Sequence, residues 1–274
     1  MSDFNRLGFI GAGNMCEALL SGIISSKFFL VENIILSDIR EPRLKYLEEK
    51  YHIKTTIDNK ETIRVSDIVF LSVKPQNIAT VLEEVGEYLK PNQIVISIAV
   101  GIPTDFIESY IKEEVPVIRV MPNTPALFQS AMSVLSKGKY ANDRHLSFAK
   151  ELLSCIGVVD ILPEKLQNAA AAINGCGPAY FFYFIESLVD AGISVGLNKD
   201  IAKKLAIQTM EGSVKMLKES GKSPTELRRM VTSPGGTTIA ALEQLEKGGI
   251  RYYIMKAIKA ATNRAEQLSQ KIKK

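Results

Sequence analysis

Short apolar runs recur along the first part of the chain, separated by stretches whose apolar positions fall at helical spacing. The runs are Leu7–Ile10, Ile34–Ser37, 68–73, 94–98 and 117–120. Between them, the segment 76–89 sets Ile78, Val81, Leu82, Val85 and Leu89 on one helix face. Continuous apolar runs suit strands covered on both faces, and their alternation with helices predicts a mostly parallel α/β sheet. Two further runs, 131–135 and Gly157–Ile161, flank a helical stretch at 144–153 and extend the sheet at one edge. After Pro163 the strand-like runs stop. Helical patterns follow over 165–173, 178–195, Lys199–Glu219, 224–231, Thr237–Lys247 and Ile250–Ile272. The change predicts an α/β domain over 1–162 and an all-α domain over 163–274. One helix stands out. From Pro178 onward, Tyr180, Phe181, Phe182, Phe184, Ile185, Leu188, Val189 and Ile193 cover most of its circumference, with Glu186 and Asp190 its charged residues. Such a helix is buried on nearly all sides, either by a second subunit or as a central helix within one chain.

Composition narrows the function classes. A chain of 274 residues with 46% hydrophobic and 23% charged residues has the makeup of an ordinary globular protein with a sizeable core. A net charge of +4 gives no argument for nucleic acid, and the basic tail Lys271-Ile272-Lys273-Lys274 reads as a solvated helix end. The three cysteines, Cys16, Cys155 and Cys176, form neither a CxxC pair nor a metal-ligand spacing, which suits reduced thiols. Met1–Arg6 lacks the plan of a signal peptide, and no apolar run approaches the ~18 residues of a membrane span. A cytoplasmic protein with no membrane segment and no metal site is expected.

The densest chemistry sits near the N-terminus. The first strand runs straight into Gly11-Ala12-Gly13, and helix-type residues follow. A dinucleotide phosphate site needs this order: one glycine for the tight turn, a second for close approach of the pyrophosphate, then the free N–H groups of a helix N-terminus. Cys16 holds the third position in place of a glycine. The other strand ends add candidates, because ligands of such sheets bind beyond the strand C-termini. Asp38 ends the second strand and suits the ribose hydroxyls of NAD, whereas Arg40 suits the extra phosphate of NADP, so the preference stays open. Lys74 follows the third strand, small residues around Ala99 follow the fourth, and Asn123 lies between two prolines after the fifth.

Far away lies Ser233-Pro234-Gly235-Gly236-Thr237-Thr238, which opens a helix. Two glycines free the backbone, and the unpaired N–H groups of the next turn make a site for a carboxylate. A plain Ser or Thr N-cap is the simpler reading, but it needs no Gly-Gly. His52 and His145, the chain's two histidines, lie in polar stretches expected at the surface. No Ser-His-Asp, HExxH or P-loop pattern appears. Without an evident strong base, reduction of an already electrophilic C=N bond is favoured over oxidation of an alcohol.

With those residues in view, the chain resembles the pyrroline-5-carboxylate reductase family over nearly its whole length. The resemblance is carried by Phe9–Met15 (FIGAGNM), Val73–Gln76 (VKPQ), Met121–Ala126 (MPNTPA), Gly177–Tyr180 (GPAY) and Ser233–Ile239 (SPGGTTI). Cys16 departs from the family's usual alanine or glycine, and Asn174-Gly175-Cys176 from its usual Ser-Gly-Ser. The resemblance implies a Rossmann-type N-terminal domain and an all-α C-terminal dimerisation domain, with dimers assembling further into decamers. It implies that Gly11, Ala12, Gly13, Asn14 and Met15 hold the pyrophosphate of NADPH or NADH. Asp38 and Asn59 would meet the ribose, with Arg40 a further contact, and Val73, Lys74, Pro75 and Ala99 would line the nicotinamide side. Ser233, Gly235, Gly236, Thr237 and Thr238 would bind the substrate carboxylate, Thr238 would serve the ring nitrogen as the catalytic hydroxyl, and Glu164 would contact substrate. Each site would take its Rossmann part from one chain and much of its substrate pocket from the other. The implied reaction is reduction of 1-pyrroline-5-carboxylate to L-proline, the last step of proline biosynthesis. Two alternatives carry different expectations. A dehydrogenase of the 6-phosphogluconate or β-hydroxyacid type needs a catalytic lysine, Lys203 or Lys215, and a dinucleotide-sensing binding protein needs no turnover at all.

Overall fold

In the computed structural model, which describes residues 4–272, the apolar runs become strands with alternate side chains in two cores. The first unit opens β1 (Leu7–Ile10), α1 (Asn14–Ser25), β2 (Ile34–Ser37), α2 (Glu41–Tyr51), β3 (Lys54–Thr56), α3 (Asn59–Val65) and β4 (Ile68–Leu71). It continues through α4 (Ile78–Val85), β5 (Ile94–Ser97), α5 (Thr104–Glu108), β6 (Val117–Met121), β7 (Ala131–Lys137), α6 (Asp143–Leu153) and β8 (Gly157–Ile161). The helices α7 (Gln167–Ile173), α8 (Gly177–Ser194), α9 (Lys199–Glu219), α10 (Pro224–Met230), α11 (Thr237–Lys247) and α12 (Ile250–Ile272) complete the chain. Met1–Asp3, and Lys273–Lys274 of the expected basic tail, lie outside the described residues.

The eight strands form one sheet in the order β3-β2-β1-β4-β5-β6-β7-β8. All pairings are parallel except β6 with β7. Leu7, Phe9, Ile68 and Phe70 enter one core, and Ile10, Val69 and Leu71 the other, so these strands read as unbroken apolar runs. Phe9 and Phe70 stack with ring centroids 4.8 Å apart. In the register, Ile10 pairs with both Ser37 and Leu71, and Leu71 with Ser97. The central strands therefore end level, and the loops that leave them share one edge of the sheet.

Two compact units emerge among the described residues: one runs to Cys176 and includes the helix end from Ala261 onward, and the other is Gly177–Ala260. The first unit thus extends past the boundary expected at Leu162–Pro163. The reason is a set of hydrogen bonds that stitch α7 to the sheet. Gln167, fully buried, donates to the Val134 carbonyl and to Ser136 Oγ of β7, and Arg119 of β6 donates to Asn168 Oδ1. The far end of α12 belongs here too: Ala265 is buried, and the closest approaches to Gly101 come from Ser269, Ala265 and Leu268. The second unit is helical throughout, with α8 packed on α9. Within this unit its apolar helix is not covered: Phe182 and Tyr183 of α8 are 66% and 71% exposed, so α8 is not the buried centre of the helical unit. No helix among the described residues is long and apolar enough to cross a membrane.

Candidate active site

A cavity of about 820 Å³ opens along the edge where the strands end, a size suited to a cofactor or small ligand. Its lining brings together Gly11, Ala12, Gly13, Asn14 and Met15 with Asp38, Arg40, Asn59, Val73, Lys74, Pro75, Ala99 and Asn123. Every expected cofactor residue thus faces one space, drawn from the segments that follow six strands, β1 to β6.

The Gly11–Ala12 turn is held from all sides. Gly11 has φ +100°, and a Cβ there would lie 2.8 Å from Val73 Cγ1 and 2.9 Å from the Ser72 carbonyl carbon, so only glycine fits. The Gly11 N–H donates to the Ser37 carbonyl at 2.7 Å, and the Ser72 hydroxyl donates to the Gly11 carbonyl at 2.7 Å. The Ala12 N–H donates to Asp38 Oδ2 at 2.7 Å, and Arg43 Nε donates to the Ala12 carbonyl at 2.8 Å. Gly13 then caps α1 with no side chain bonded to the first turn, which leaves that turn's N–H groups for an anion. The residues present therefore fit a dinucleotide diphosphate. Cys16, at the third fingerprint position, is buried against the turn, and burial pushes its thiol up to about 12. It packs, and it is inert as a nucleophile.

Asp38 is more occupied than its place at a strand end suggests. Besides Ala12, it accepts from the Arg40 N–H at 2.9 Å and from Arg40 Nε and Nη2 at 2.9 and 3.0 Å. Burial pushes its carboxyl up, but the hydrogen bonds from Arg40 and Ala12 outweigh that and hold it below the usual value. Asn59 is likewise committed: its Oδ1 accepts from Ser37 Oγ at 2.8 Å and its Nδ2 donates to Glu84 at 2.9 Å. Asn123 lines the cavity, yet its side chain is a loop tie, accepting from the Met132 N–H at 3.0 Å and donating to the Asn174 carbonyl at 3.1 Å. Asn174 itself donates to the Met121 and Met132 carbonyls. The asparagine that departs from the family's serine thus bridges the loop after β6.

Glu164, expected to contact substrate, is hydrogen-bonded within its own unit. Its Oε1 accepts from the Thr104 N–H at 2.8 Å and from Arg119 Nη1 at 3.4 Å, while Oε2 accepts from Thr104 Oγ1 at 2.6 Å. Both carboxylate oxygens serve the start of α5 and a buried arginine, and the residue is not part of the cavity lining. The histidines are absent from that lining as well; His145 closes a capping box with Asn142 at the start of α6. Lys203 and Lys215 are exposed on α9.

In the second unit, Gly236 caps α11, again with no side chain bonded to the first turn. The simple Ser or Thr cap is therefore not what these residues form. Gly235 has φ +71°, a conformation that favours glycine, while a Cβ on Gly236 would lie 2.4 Å from Ser233 Oγ and require that hydroxyl to rotate aside. The N–H groups around Thr237 and Thr238 remain for an anionic group.

Sequence reasoning missed Ser72 and Gly175, which line the cavity, and Arg43, which lies beside it. Ser72 directly follows a strand and was findable by the rule that found Lys74. Arg43 and Gly175 reach the site only through helix packing, which no local pattern reports.

Comparisons with known proteins agree in kind. Residues 164–268 match a family model described as pyrroline-5-carboxylate reductase dimerisation, and residues 6–101 one described as NADP oxidoreductase, coenzyme F420-dependent. The pyrroline-5-carboxylate reductase of Methanosarcina acetivorans is 41% identical over 97% of this chain and 98% of its own length. The Plasmodium falciparum pyrroline carboxylate reductase with NADP bound superimposes at a TM-score of 0.89 and 32% identity, covering 98% of this chain and 99% of that one. A pyrroline-5-carboxylate reductase from Coxiella burnetii does so at 0.90 and 35%, covering 97% and 98%.

Proposed function

The chain belongs to the pyrroline-5-carboxylate reductase family, and from that premise we propose how its residues divide the work of reducing 1-pyrroline-5-carboxylate to L-proline. It is an NAD(P)H-dependent oxidoreductase. When bound, the reduced dinucleotide supplies the hydride that the imine carbon accepts. The first turn of α1, behind Gly11–Met15, holds the diphosphate, and Asp38 with Arg40 and Asn59 borders the adenosine ribose. Val73, Lys74, Pro75 and Ala99 hold the nicotinamide side, and Asn123 keeps the neighbouring loop in shape. The loop Ser233–Thr238 holds the substrate carboxylate on the first-turn N–H groups of α11, and the Thr238 hydroxyl orients the imine nitrogen. The protein's part is position and electrostatics, consistent with a cavity lining that includes no histidine.

The observation that carries this reading is the pair of helix N-termini, at α1 and α11, each opened by glycines and each free of a side-chain cap. The dimerisation region makes the chain self-associating, and assembly of dimers into decamers, in the cytoplasm, is part of the proposal. The domain roles follow: 1–162 binds the dinucleotide, and 163–274 dimerises and binds substrate. The test is oxidation of NADPH and of NADH on addition of pyrroline carboxylate, with proline identified as product. Turnover of 2-carbonyl acids but not of the cyclic imine would favour the hydroxyacid-type dehydrogenase, and dinucleotide binding without turnover would favour a sensor.

A further inference from the structure

We infer that Arg43, in the first turn of α2, is a positioning residue for the dinucleotide-binding turn, an inference that rests on the cradle reading above. Arg43 Nε donates to the Ala12 carbonyl at 2.8 Å, and Arg43 Nη2 donates to Glu17 Oε2 at 2.5 Å. The Arg43 and Glu17 side chains are 20% and 14% exposed, so the pair is partly shielded from water.

Planarity of the peptide bond gives the first contact its meaning. In a trans peptide the C=O and the following N–H point in opposite directions. Holding the Ala12 carbonyl toward Arg43 therefore aims the Gly13 N–H the other way. The same geometry operates one residue earlier, where Asp38 takes the Ala12 N–H and Ser72 takes the Gly11 carbonyl of one peptide plane. Two successive planes are thus pinned by side chains from α2, β2 and β4 loops, and the amide that follows them opens the anion-binding turn.

The second contact concerns charge. Glu17 lies in the first turn of α1, where its carboxylate would repel a diphosphate at the same helix end. Arg43 and Lys50, whose Nζ is 2.8 Å from Glu17 Oε1, offset it. Burial pushes the Glu17 carboxyl up, but hydrogen bonds from Lys50 and Arg43 outweigh that and hold it below its usual value. Among the described residues, Arg43 is the one side chain that bonds both the Ala12 carbonyl and the Glu17 carboxylate.

The test compares NADP⁺ and NAD⁺ binding by calorimetry in wild type, Arg43→Met, Arg43→Lys and Arg43→Met/Glu17→Gln. Both cofactors share the diphosphate, so Arg43→Met should weaken both by the same factor, about 10- to 100-fold. With cofactor saturating, KM for pyrroline carboxylate and kcat should stay within about twofold. In the free protein, amide exchange over residues 13–16 should quicken by more than elsewhere in the sheet, beyond the melting loss that comes with the broken Glu17 ion pair. The double variant should recover only the part due to charge, and Arg43→Lys, which keeps the charge but not the two-pronged reach, should stay weakened for both cofactors. Equal binding by Arg43→Met and wild type, loss confined to NADP⁺, or full recovery in the double variant would each overturn the assignment. If Arg43→Met does not fold, the Arg43→Lys comparison decides by the same criteria. Failure of wild type to bind either cofactor would sink the cradle reading instead.

Discussion

Gly13→Ala should separate folding from cofactor binding. Gly13 has φ −70° and ψ 177°, an extended conformation open to any residue. An added Cβ would find its nearest neighbour, the Ser72 carbonyl oxygen, at 4.0 Å, so the methyl fits the free protein. The folding cost is then the difference between glycine and alanine as N-cap, within about 1 kcal/mol, or a melting shift of roughly 2–4 °C for a chain of this size. The same methyl stands on the cavity wall where a diphosphate must come closest to backbone. Loss of one charge-assisted hydrogen bond there is worth about 1.5–3 kcal/mol, which is roughly a 10- to 100-fold weaker Kd. Gly11→Ala is the control. Its φ of +100° and its overlap with Ser72 backbone strain the fold itself, by about 2–4 kcal/mol, so stability and binding should fall together. The assay is paired calorimetric titration with NADP⁺ and thermal melting of both variants. Wild-type affinity in Gly13→Ala, or a melting loss equal to that of Gly11→Ala, would refute the reasoning.

Three further outcomes are expected. Thr238→Ala should lower kcat and raise KM for pyrroline carboxylate, by about tenfold in kcat/KM, with NADP⁺ affinity unchanged; steady-state kinetics beside a binding titration checks this. Phe182→Asp should weaken self-association by about 100-fold or more, read by sedimentation at several concentrations, because it sets a charge in an exposed apolar face within the region that matches the dimerisation model. The third concerns acid. Asp38 and Glu17 are held below their usual values of 3.8 and 4.5, so their contribution to stability is fully present above pH 4.5 and is lost as pH falls through the folded values. Melting temperature against pH should bend downward below that point, and the bend should be shallower in Glu17→Gln.

The sheet's central strands were legible because a strand buried on both faces has to be apolar at every position, as in Leu7–Ile10 and Ile68–Leu71. Strand β3 left no such trace. Lys54-Thr55-Thr56 is a short, half-exposed edge, and only its pairing with β2 makes it a strand. The antiparallel turn of β7 was equally silent, since residue pattern reports burial and not direction. Helices were legible for the matching reason: Lys199–Glu219, Thr237–Lys247 and Ile250–Ile272 each carry their own period and their own end signals. The attachment of α7 to the sheet left no trace in the pattern, because it rests on Gln167 and Asn168, polar residues with no periodic signature.

The same division runs through the candidate site. Local sequence determined that a glycine turn meets a helix at Gly11–Asn14 and that another opens α11, because backbone conformation there depends on which residues lack a Cβ. It also determined that α8 is apolar almost all round. Tertiary structure alone decided that Asp38 is shared between Ala12 and Arg40, that Glu164 is spent on Thr104 and Arg119, and that Arg43 reaches the Ala12 carbonyl. A side chain's type states what it can bond, but its partner is set by which distant elements the packed sheet brings within about 3 Å.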